Sequence, residues 1–337
     1  MRNNDYPEGF YCPCREIDPE HFISNKELKR LIKNKDKYKF TQEDYLRIYN
    51  CIHCNECGTS EERFLLKEKF LKDGGKIEGL NETIANIEKF GTPFFKNKSR
   101  IKIPAEIREK KDIILYFGCF TAVKTPRYGQ SIMEYLLAKG IEFSVLDKEV
   151  CCGYPILCNG AIDSYKKLVE CNKDIFRSKK VKEIITICPS CYMVFKKELS
   201  ELNIKVRYFT EYLTHSEQKK NGNLAIQHAC PLRNGEIPGI TEKIEKIYEE
   251  SGYNVLREIP NKCCGGGIGH QLRTEIIVAI ARNRMKDFIN IIRQNKIAPD
   301  EKNYITTYCP DAFWILKVYG KRKKIPLKLK ELCELLR

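Results

Sequence analysis

The sequence lacks the features of a membrane protein or a secreted protein. Its 337 residues contain no run of about eighteen consecutive apolar residues, the length that a helix needs to cross a bilayer. The first residues, MRNNDYPEGFYCPC, lack the apolar stretch of a secretory signal. A secreted disulfide scaffold would be short with an even number of cysteines, whereas this chain is long and has 17. We therefore expect a cytoplasmic protein with no direct membrane span, in which thiols stay reduced.

A flavin or nicotinamide fingerprint is also missing. The run Gly265–Gly269 has the composition of a phosphate loop, but it follows a cysteine doublet and lacks both the strand–helix context and the downstream acid. We expect that this chain binds no flavin or NAD, so any redox reaction requires a donor protein.

The formal net charge of +15 does not by itself indicate nucleic-acid binding. Lysines and arginines are spread among 45 acidic residues, and the densest basic run, from 317 to 330, lacks the aromatic spacing of a base-stacking surface. Two interpretations remain: a solvated Lys/Glu-rich surface, or a surface for an anionic partner. We expect no nucleic-acid partner.

Cysteine is abundant, and its pattern occurs nearly twice. Each copy has a single Cys, then Cys-Cys-Gly, then Cys-Pro, separated by long gaps. The first copy comprises Cys119, Cys151, Cys152, Cys188 and Cys191, and the second comprises Cys230, Cys263, Cys264 and Cys309. Flanking segments agree as well, for example DKEVCCGYPI with IPNKCCGGGI. The pattern therefore indicates a duplicated unit of roughly 110 residues.

A third group of cysteines precedes the two copies. Cys51, Cys54 and Cys57 are separated by two residues each, and Cys12 and Cys14 lie closer to the N-terminus. Clustered cysteines in a reducing compartment indicate metal or redox work. Vicinal thiolates tend to diverge, which suits neighbouring irons of one cluster better than a single tetrahedral zinc, although thiolate softness permits either metal.

Several residues near these motifs have simpler interpretations. Cys158, Cys171 and Cys333 have no partner spacing, and we interpret them as plain thiols. His53 and His270 flank motifs, where we expect them to hydrogen-bond near a metal site rather than to bind the metal.

The pattern of apolar runs predicts three parts: a charged helical segment (1–107) and two repeats of alternating strands and helices (108–221 and 222–337). The predicted strands are Asp112–Phe117, Glu142–Leu146, Glu183–Ile187, Leu224–Gln227, Asn254–Glu258 and Tyr304–Thr307. We predict an α/β fold of two tandem cysteine-rich domains, an internal duplication with a degenerate second copy, preceded by a small α-helical iron–sulfur segment. Because the cysteines follow strands, their thiols should converge at the carboxyl ends of the sheets.

The first copy has 31 residues between Cys119 and Cys151 and 35 between Cys152 and Cys188. This spacing resembles the cysteine-rich CCG domain of the B-type and D-type subunits of heterodisulfide reductases and their relatives. An iron–sulfur segment ahead of two such domains resembles a fusion of the C-type and B-type subunits, over about residues 45 to 337. In that family the five-cysteine motif holds a non-cubane four-iron cluster that cleaves the disulfide of coenzymes M and B. The resemblance implies 4Fe–4S clusters here, with the catalytic, non-cubane cluster on Cys119, Cys151, Cys152, Cys188 and Cys191.

Two departures from the family pattern concern the other cysteines. The second copy ends in Cys309-Pro-Asp-Ala312 without a fifth cysteine, and its second gap has 44 residues rather than 35. Its four cysteines could hold a cubane cluster, a zinc ion, or a non-cubane cluster with another ligand such as Asp311. The N-terminal motif lacks its fourth cysteine, so either Cys12 or Cys14 completes it or the motif is decayed.

Two functions follow from these expectations. The first is an oxidoreductase component resembling heterodisulfide reductase. It would reduce a small anionic disulfide of the coenzyme M–coenzyme B type, or a related substrate, with electrons from a donor protein or flavin subunit. The second is a non-catalytic electron-transfer component that relays electrons for a flavin dehydrogenase or a membrane complex.

Overall fold

A computed structural model describes residues 11–94, 99, 101–108, 111–266, 273–298, 302–323 and 327–337. The prediction for His270, and most of the Gly265–Gly269 run, lie outside the described residues.

Two parallel sheets form the centre of the fold. The first sheet has the order β1-β2-β3 and consists of β1 (Ile113–Tyr116), β2 (Glu183–Thr186) and β3 (Lys205–Tyr208). The second has the order β5-β4-β6-β7 and consists of β4 (Asn223–Gln227), β5 (Asn254–Val255), β6 (Asn303–Thr307) and β7 (Lys328–Leu329). All neighbouring strands pair in parallel. Strand β1, with the sequence IILY, is almost entirely apolar because parallel sheets are covered on both faces.

The sheet order reflects the duplication, and the predicted α/β class is confirmed. Ser144 forms a single parallel bridge with Ile114 of β1. It therefore occupies the position beside β1 that β5 occupies beside β4. The predicted strand Glu142–Leu146 is therefore wrong, and the predicted strand Asn254–Glu258 is reduced to Asn254–Val255. Both segments lie at a sheet edge, where a strand has one neighbour and is often short. The sequence pattern does not predict strands β3 and β7, because KVRY and KL are short and charged.

Helices cover the sheets, and the described part of the N-terminal segment consists of helices and loops. The described α-helices are α1 (Pro13–Ile17), α2 (Asn25–Lys33), α3 (Tyr45–Ile48), α4 (Ser60–Lys72), α5 (Leu80–Phe90), α6 (Cys119–Lys124), α7 (Pro126–Ala138), α8 (Tyr154–Leu157), α9 (Ile162–Ser178), α10 (Pro189–Glu198), α11 (Ile240–Glu250), α12 (Thr274–Gln294) and α13 (Pro310–Lys323). Helix α12 has 21 residues where its counterpart α9 has 17, which accounts for part of the longer gap in the second repeat. Within the described ranges, no helix has the length and apolar character needed to cross a membrane.

The two repeats share one hydrophobic core. Side chains from β1, β4, α7 and the C-terminal turn at Leu332–Leu335 belong to the same buried cluster. Buried tyrosines also link the repeats: the Tyr128 hydroxyl donates to the Thr307 carbonyl over 3.1 Å, and the Tyr208 hydroxyl donates to the Tyr308 carbonyl. Because a buried hydroxyl needs a partner, these bonds favour one arrangement of the two sheets.

The N-terminal helical segment contacts both repeats. On the first repeat, Lys67 Nζ donates to the Cys158 carbonyl over 2.8 Å, and the backbone of α4 passes close to Gly160. On the second repeat, the Arg273 guanidinium forms an ion pair with Asp18 over 2.7 Å. Because both partners of this pair are largely buried, the segment is held to the repeats by more than surface charge.

We predict that Gly160→Ala destabilises the protein more than Gly140→Ala does. Both glycines have a positive φ, +87° and +71°, so both substitutions should carry the left-handed backbone cost of roughly 1–2 kcal/mol. A Cβ at Gly160 would also lie 2.5 Å from the carbonyl carbon of Lys67, whereas a Cβ at Gly140 meets nothing within 4 Å. Because α4 must then move, Gly160→Ala should lower the free energy of unfolding by about 1–3 kcal/mol more than Gly140→Ala does. Urea unfolding measures the difference, and equal losses would contradict the close contact.

Candidate metal centres

The five cysteines of the first repeat come together at the carboxyl ends of β1 and β2. Cys119 begins α6, Cys151 and Cys152 lie in the loop before α8, and Cys188 and Cys191 lie at the start of α10. The sulfurs of Cys119 and Cys151 are 3.6 Å apart, and those of Cys152 and Cys191 are 3.5 Å apart. Cys151 also shares a hydrogen bond with Cys152, and Cys188 shares one with Cys191, so all five thiols are connected. These five thiols are called the five-thiol site below.

Proline and glycine beside these cysteines shape their loops. The proline after Cys188 occupies the first turn of α10, where its missing N–H leaves no bond unmade, and Cys188 is the N-cap. Gly153 has φ +91°, and its N–H donates to the Cys151 sulfur over 3.5 Å. A Cβ at Gly118 would lie 3.0 Å from the Cys191 sulfur, so glycine leaves space at the site.

Mutual hydrogen bonding and burial favour the protonated form of most of these thiols. A hydrogen bond with Cys119 and burial raise the pKa of Cys151 well above its usual value, and a hydrogen bond with Cys151 and burial do the same for Cys152. Within this set only the pKa of Cys188 is lowered, chiefly by a hydrogen bond with Cys191. Metals bind thiolates, so metal binding must be favourable enough to displace these protons.

A partly buried glutamate connects two of the cysteine loops. The Glu149 carboxylate accepts hydrogen bonds from the N–H groups of Phe117 and Gly118 over 2.7 and 2.8 Å, which ties the doublet loop to the turn before Cys119. Desolvation raises the pKa of Glu149 to about 7, although these two bonds act to lower it. An acid in a charged loop shows no sequence pattern, so this residue could not be predicted.

Three cysteines of the second repeat form a similar but smaller group. The Cys263 thiol shares hydrogen bonds with Cys230 and Cys264. The N–H groups of Gly265 and Gly266 donate to the sulfurs of Cys263 and Cys264, each over 3.4 Å. The doublet therefore has the same backbone hydrogen bonding as its counterpart in the first repeat.

Cys309 and Asp311 lie near thiols of the first repeat, and Cys309 also lies near Cys264 of the second. Burial raises the pKa of Cys309, and the nearby Asp311, Cys188 and Cys264 raise it further. Burial also raises the pKa of Asp311, with added effects from Cys188 and Cys152 of the first repeat. Asp311, considered above as a ligand for the second repeat, therefore lies close to the five-thiol site as well.

The N-terminal site brings together all five cysteines of its segment. The hydrogen bond between Cys12 and Cys14 lowers the pKa of Cys12 to about 7 and raises that of Cys14, which burial and the nearby Cys51 and Cys54 raise further. Burial also raises the pKa of Cys51, and the neighbouring Cys57 adds to this effect. Both residues considered as a fourth ligand, Cys12 and Cys14, thus lie beside the loop that carries the other three cysteines.

The N-terminal site also contacts the second repeat. Cys14 and Cys263 belong to one small buried cluster, against which Cys54 and Cys230 pack. Outside this cluster, an ion pair joins the second repeat to the cysteine loop, since the Arg233 guanidinium lies 3.1 Å from a carboxylate oxygen of Glu56. The three thiol groups are therefore neighbours, in the order N-terminal site, second repeat, first repeat.

The remaining candidates lie outside these groups. Cys158 and Cys333 are fully buried, whereas Cys171 is exposed on α9.

His53 lies in the N-terminal cysteine loop, where its Nε2 is 2.7 Å from Lys67 Nζ. Lys67 and its neighbour on α4, Arg63, are buried beside the N-terminal thiols. Neither could be identified from the sequence, because charged residues on a helix usually face solvent.

The donor sets fit iron–sulfur clusters. Among the described residues, no three His, Cys, Asp or Glu side chains are arranged to hold a single metal ion. The three groups consist of thiols, which are the ligands of iron–sulfur clusters and of some zinc sites. The Nε of buried Arg63 has no hydrogen-bond partner within the described part of the chain, and the acidic groups with the largest effect on this guanidinium are thiols. A buried, unpaired cation favours an anionic occupant of the N-terminal site, and a thiolate-bound cluster is anionic.

A known family matches both repeats. The cysteine-rich domain called CCG matches residues 113–196 and 224–317, more than half of the chain. The first match contains all five cysteines of the five-thiol site, and the second contains all four cysteines of the second repeat.

Individual proteins similar to this chain agree with that match. An uncharacterized iron–sulfur protein of Methanococcus maripaludis is 24% identical, over 93% of this chain and 69% of its own length. One subunit of the dihydromethanophenazine:CoB–CoM heterodisulfide reductase of Methanosarcina acetivorans is 23% identical, over 72% of this chain and 68% of its own length. The crystal structure of a hypothetical protein from Helicobacter pylori has a TM-score of 0.50 at 12% identity, covering 96% of this chain and 69% of that one, and supports the fold alone. This chain belongs to the CCG cysteine-rich domain family and is related to iron–sulfur subunits of heterodisulfide reductases.

Proposed function

We propose that this chain is an iron–sulfur oxidoreductase subunit that takes electrons from a partner protein at its N-terminal site and uses them at the five-thiol site to reduce a disulfide. The observation that carries this proposal is the order of the three thiol groups. Cys54 of the N-terminal site packs with Cys263 of the second repeat, and Cys309 of the second repeat lies close to Cys188 of the first. Clusters held at these positions would form a continuous series.

This series suits the chemistry of a disulfide. Cleavage of a disulfide to two thiols takes up two electrons and two protons, whereas iron–sulfur clusters supply electrons one at a time. Linked sites in one chain allow the second electron to follow the first without release of the substrate. The protein's own part is to hold the thiols in place and to exclude water from them.

The open side of the five-thiol site is where a substrate would approach. Cys119 is partly exposed, as is the nearby Cys309 of the second repeat, whereas the other four thiols of the five-thiol site are at most 4% exposed. Phe120, next to Cys119, meets Trp314 of α13 edge to face with ring centroids 6.2 Å apart. We propose that these two rings form one wall of the substrate's approach, because α6 begins at Cys119 and α13 begins directly after Cys309.

The substrate and partner follow from charge and from the relatives. One relative is named for CoB–CoM heterodisulfide reduction, so we propose an anionic disulfide of that type or a related substrate. The net charge of +15 would favour an anionic substrate and an acidic donor protein or flavin subunit. We further propose that the reaction takes place in the cytoplasm, where thiols stay reduced.

A second candidate function is relay of electrons without catalysis. It is favoured by the burial of Cys151, Cys152, Cys188 and Cys191, since a cluster enclosed in this way is shielded from substrates. The chain would then pass electrons between a flavin dehydrogenase and another carrier.

We predict that Cys152→Ser lowers disulfide cleavage by about 10–100-fold or more, because an incomplete thiolate shell holds its cluster poorly. The assay is release of thiols from the coenzyme M–coenzyme B disulfide by anaerobic protein, with reduced viologen as donor. Cys171→Ser, at an exposed position away from the thiol groups, is the matched control and should keep full activity. If the unmodified protein releases no thiols while its clusters are reducible, the reduction of this disulfide is contradicted and the relay function is favoured.

We also predict that Cys14 is the fourth ligand of the N-terminal site. Cys14 is buried and lies near both Cys51 and Cys54, whereas Cys12 is partly exposed. Cys14→Ser should therefore remove one cubane signal from the low-temperature electron paramagnetic resonance (EPR) spectrum, and Cys12→Ser should leave it. The opposite result would assign the ligand to Cys12, and two unchanged spectra would show that neither residue is a ligand.

A further inference from the structure

We infer that Arg63 and Lys67 raise the reduction potential of the N-terminal site by holding two positive charges against its thiolates. The inference rests on the proposed function, because it concerns the site at which we propose that electrons enter. The two residues lie one turn apart on α4, and their side chains are 4% and 0% exposed. Neither belongs to a cysteine motif.

Arg63 is a buried cation that has no carboxylate partner among the described residues. One of its terminal nitrogens donates to the Ile23 carbonyl over 3.0 Å, its Nε has no hydrogen-bond partner, and its guanidinium carbon lies 6.0 Å from the centre of the Phe22 ring. The acidic groups with the largest effect on it are thiols, with Cys51 and Cys57 foremost. An isolated buried charge is costly, so thiolates at this site would offset the cost of burying Arg63.

Lys67 is held in place by a set of specific contacts. Its Nζ lies 2.8 Å from the Cys158 carbonyl oxygen, 2.7 Å from His53 Nε2 and 4.8 Å from the centre of the Tyr49 ring. Burial lowers the pKa of Lys67 to about 8, which still leaves the ammonium form predominant at neutral pH, and among the thiols Cys51 does most to raise it. The contact with His53 also fixes the loop that carries Cys51, so Lys67 both positions the loop and contributes charge.

The absence of a carboxylate distinguishes these two cations from the other buried ones. In the part of the chain that the structure describes, the other buried cations each have a carboxylate oxygen within 3.4 Å; they are Lys173, Arg273 and Arg284. Carboxylates cancel those three charges locally. The charges of Arg63 and Lys67 are left to act on the N-terminal thiols.

Cations that no carboxylate neutralises raise the reduction potential of a nearby redox site. A thiolate-bound cluster is anionic, and reduction adds another negative charge. Charges interact more strongly in a buried site than in water, so nearby cations stabilise the reduced form. The N-terminal site should therefore accept electrons from a weaker reductant than the same thiols would without Arg63 and Lys67.

A redox titration of anaerobic protein, followed by EPR, tests the inference. Arg63→Met and Lys67→Met keep an apolar stem and remove the charge. For each we expect the equilibrium constant for reduction of the N-terminal cluster to fall about tenfold, a lowering of about 59 mV for a one-electron couple, while the other signals keep their potentials. Lys72→Met, on the same helix but with its side chain 61% exposed, is the matched control and should change nothing.

An unchanged potential in an Arg63→Met or Lys67→Met protein that retains the N-terminal cluster would overturn the inference. If both variants lose the cluster, Arg63→Lys decides, because it keeps the charge and changes the shape. A potential close to that of the unmodified protein then supports the role of charge, and a tenfold loss in the reduction equilibrium overturns it. Disulfide cleavage is a separate readout: if it is absent while the potentials shift as expected, the reductase function fails and this inference stands.

Discussion

Close approach of sulfur to sulfur at the carboxyl ends of the strands is the constraint on which the rest of this structure depends. Cys119 and Cys151 lie 3.6 Å apart, and Cys152 and Cys191 lie 3.5 Å apart. Several thiols buried together can ionise only if a cation replaces their protons. The Cys-Pro helix starts, the glycine after each doublet and the Glu149 bridge all keep the thiol-bearing loops in this arrangement.

The two repeats carry unequal groups of cysteines, five in the first and four in the second. Ala312 stands where the first repeat has Cys191, and Cys309 lies near Cys188 of the first repeat as well as Cys264 of its own. The smaller group contacts the N-terminal site through Cys263, so it lies between that site and the complete five-thiol group. In the proposed function, this position suits an intermediate carrier, and the complete group suits the end of the series.

The sequence was sufficient for features that depend on local pattern and insufficient for those that depend on distant contacts. Strands β1 and β2 could be predicted because their apolar runs are local. The strand predicted at Glu142–Leu146 was wrong because apolar content does not tell how many residues of an edge segment will pair. Motif spacing predicted which cysteines group together within each repeat. It did not predict the contact between Cys54 and Cys263. Arg63 could not be identified, because the thiols around it come from separate parts of the chain.

The presence of iron–sulfur clusters at the three thiol groups is tested most directly by the metal and sulfide content of protein prepared without oxygen. Iron, acid-labile sulfide and zinc should be measured on the same sample. We predict roughly eight to twelve irons per chain, a matching amount of sulfide and only trace zinc. Stoichiometric zinc with fewer than about four irons would contradict this central claim, because the thiol groups would then be structural zinc sites.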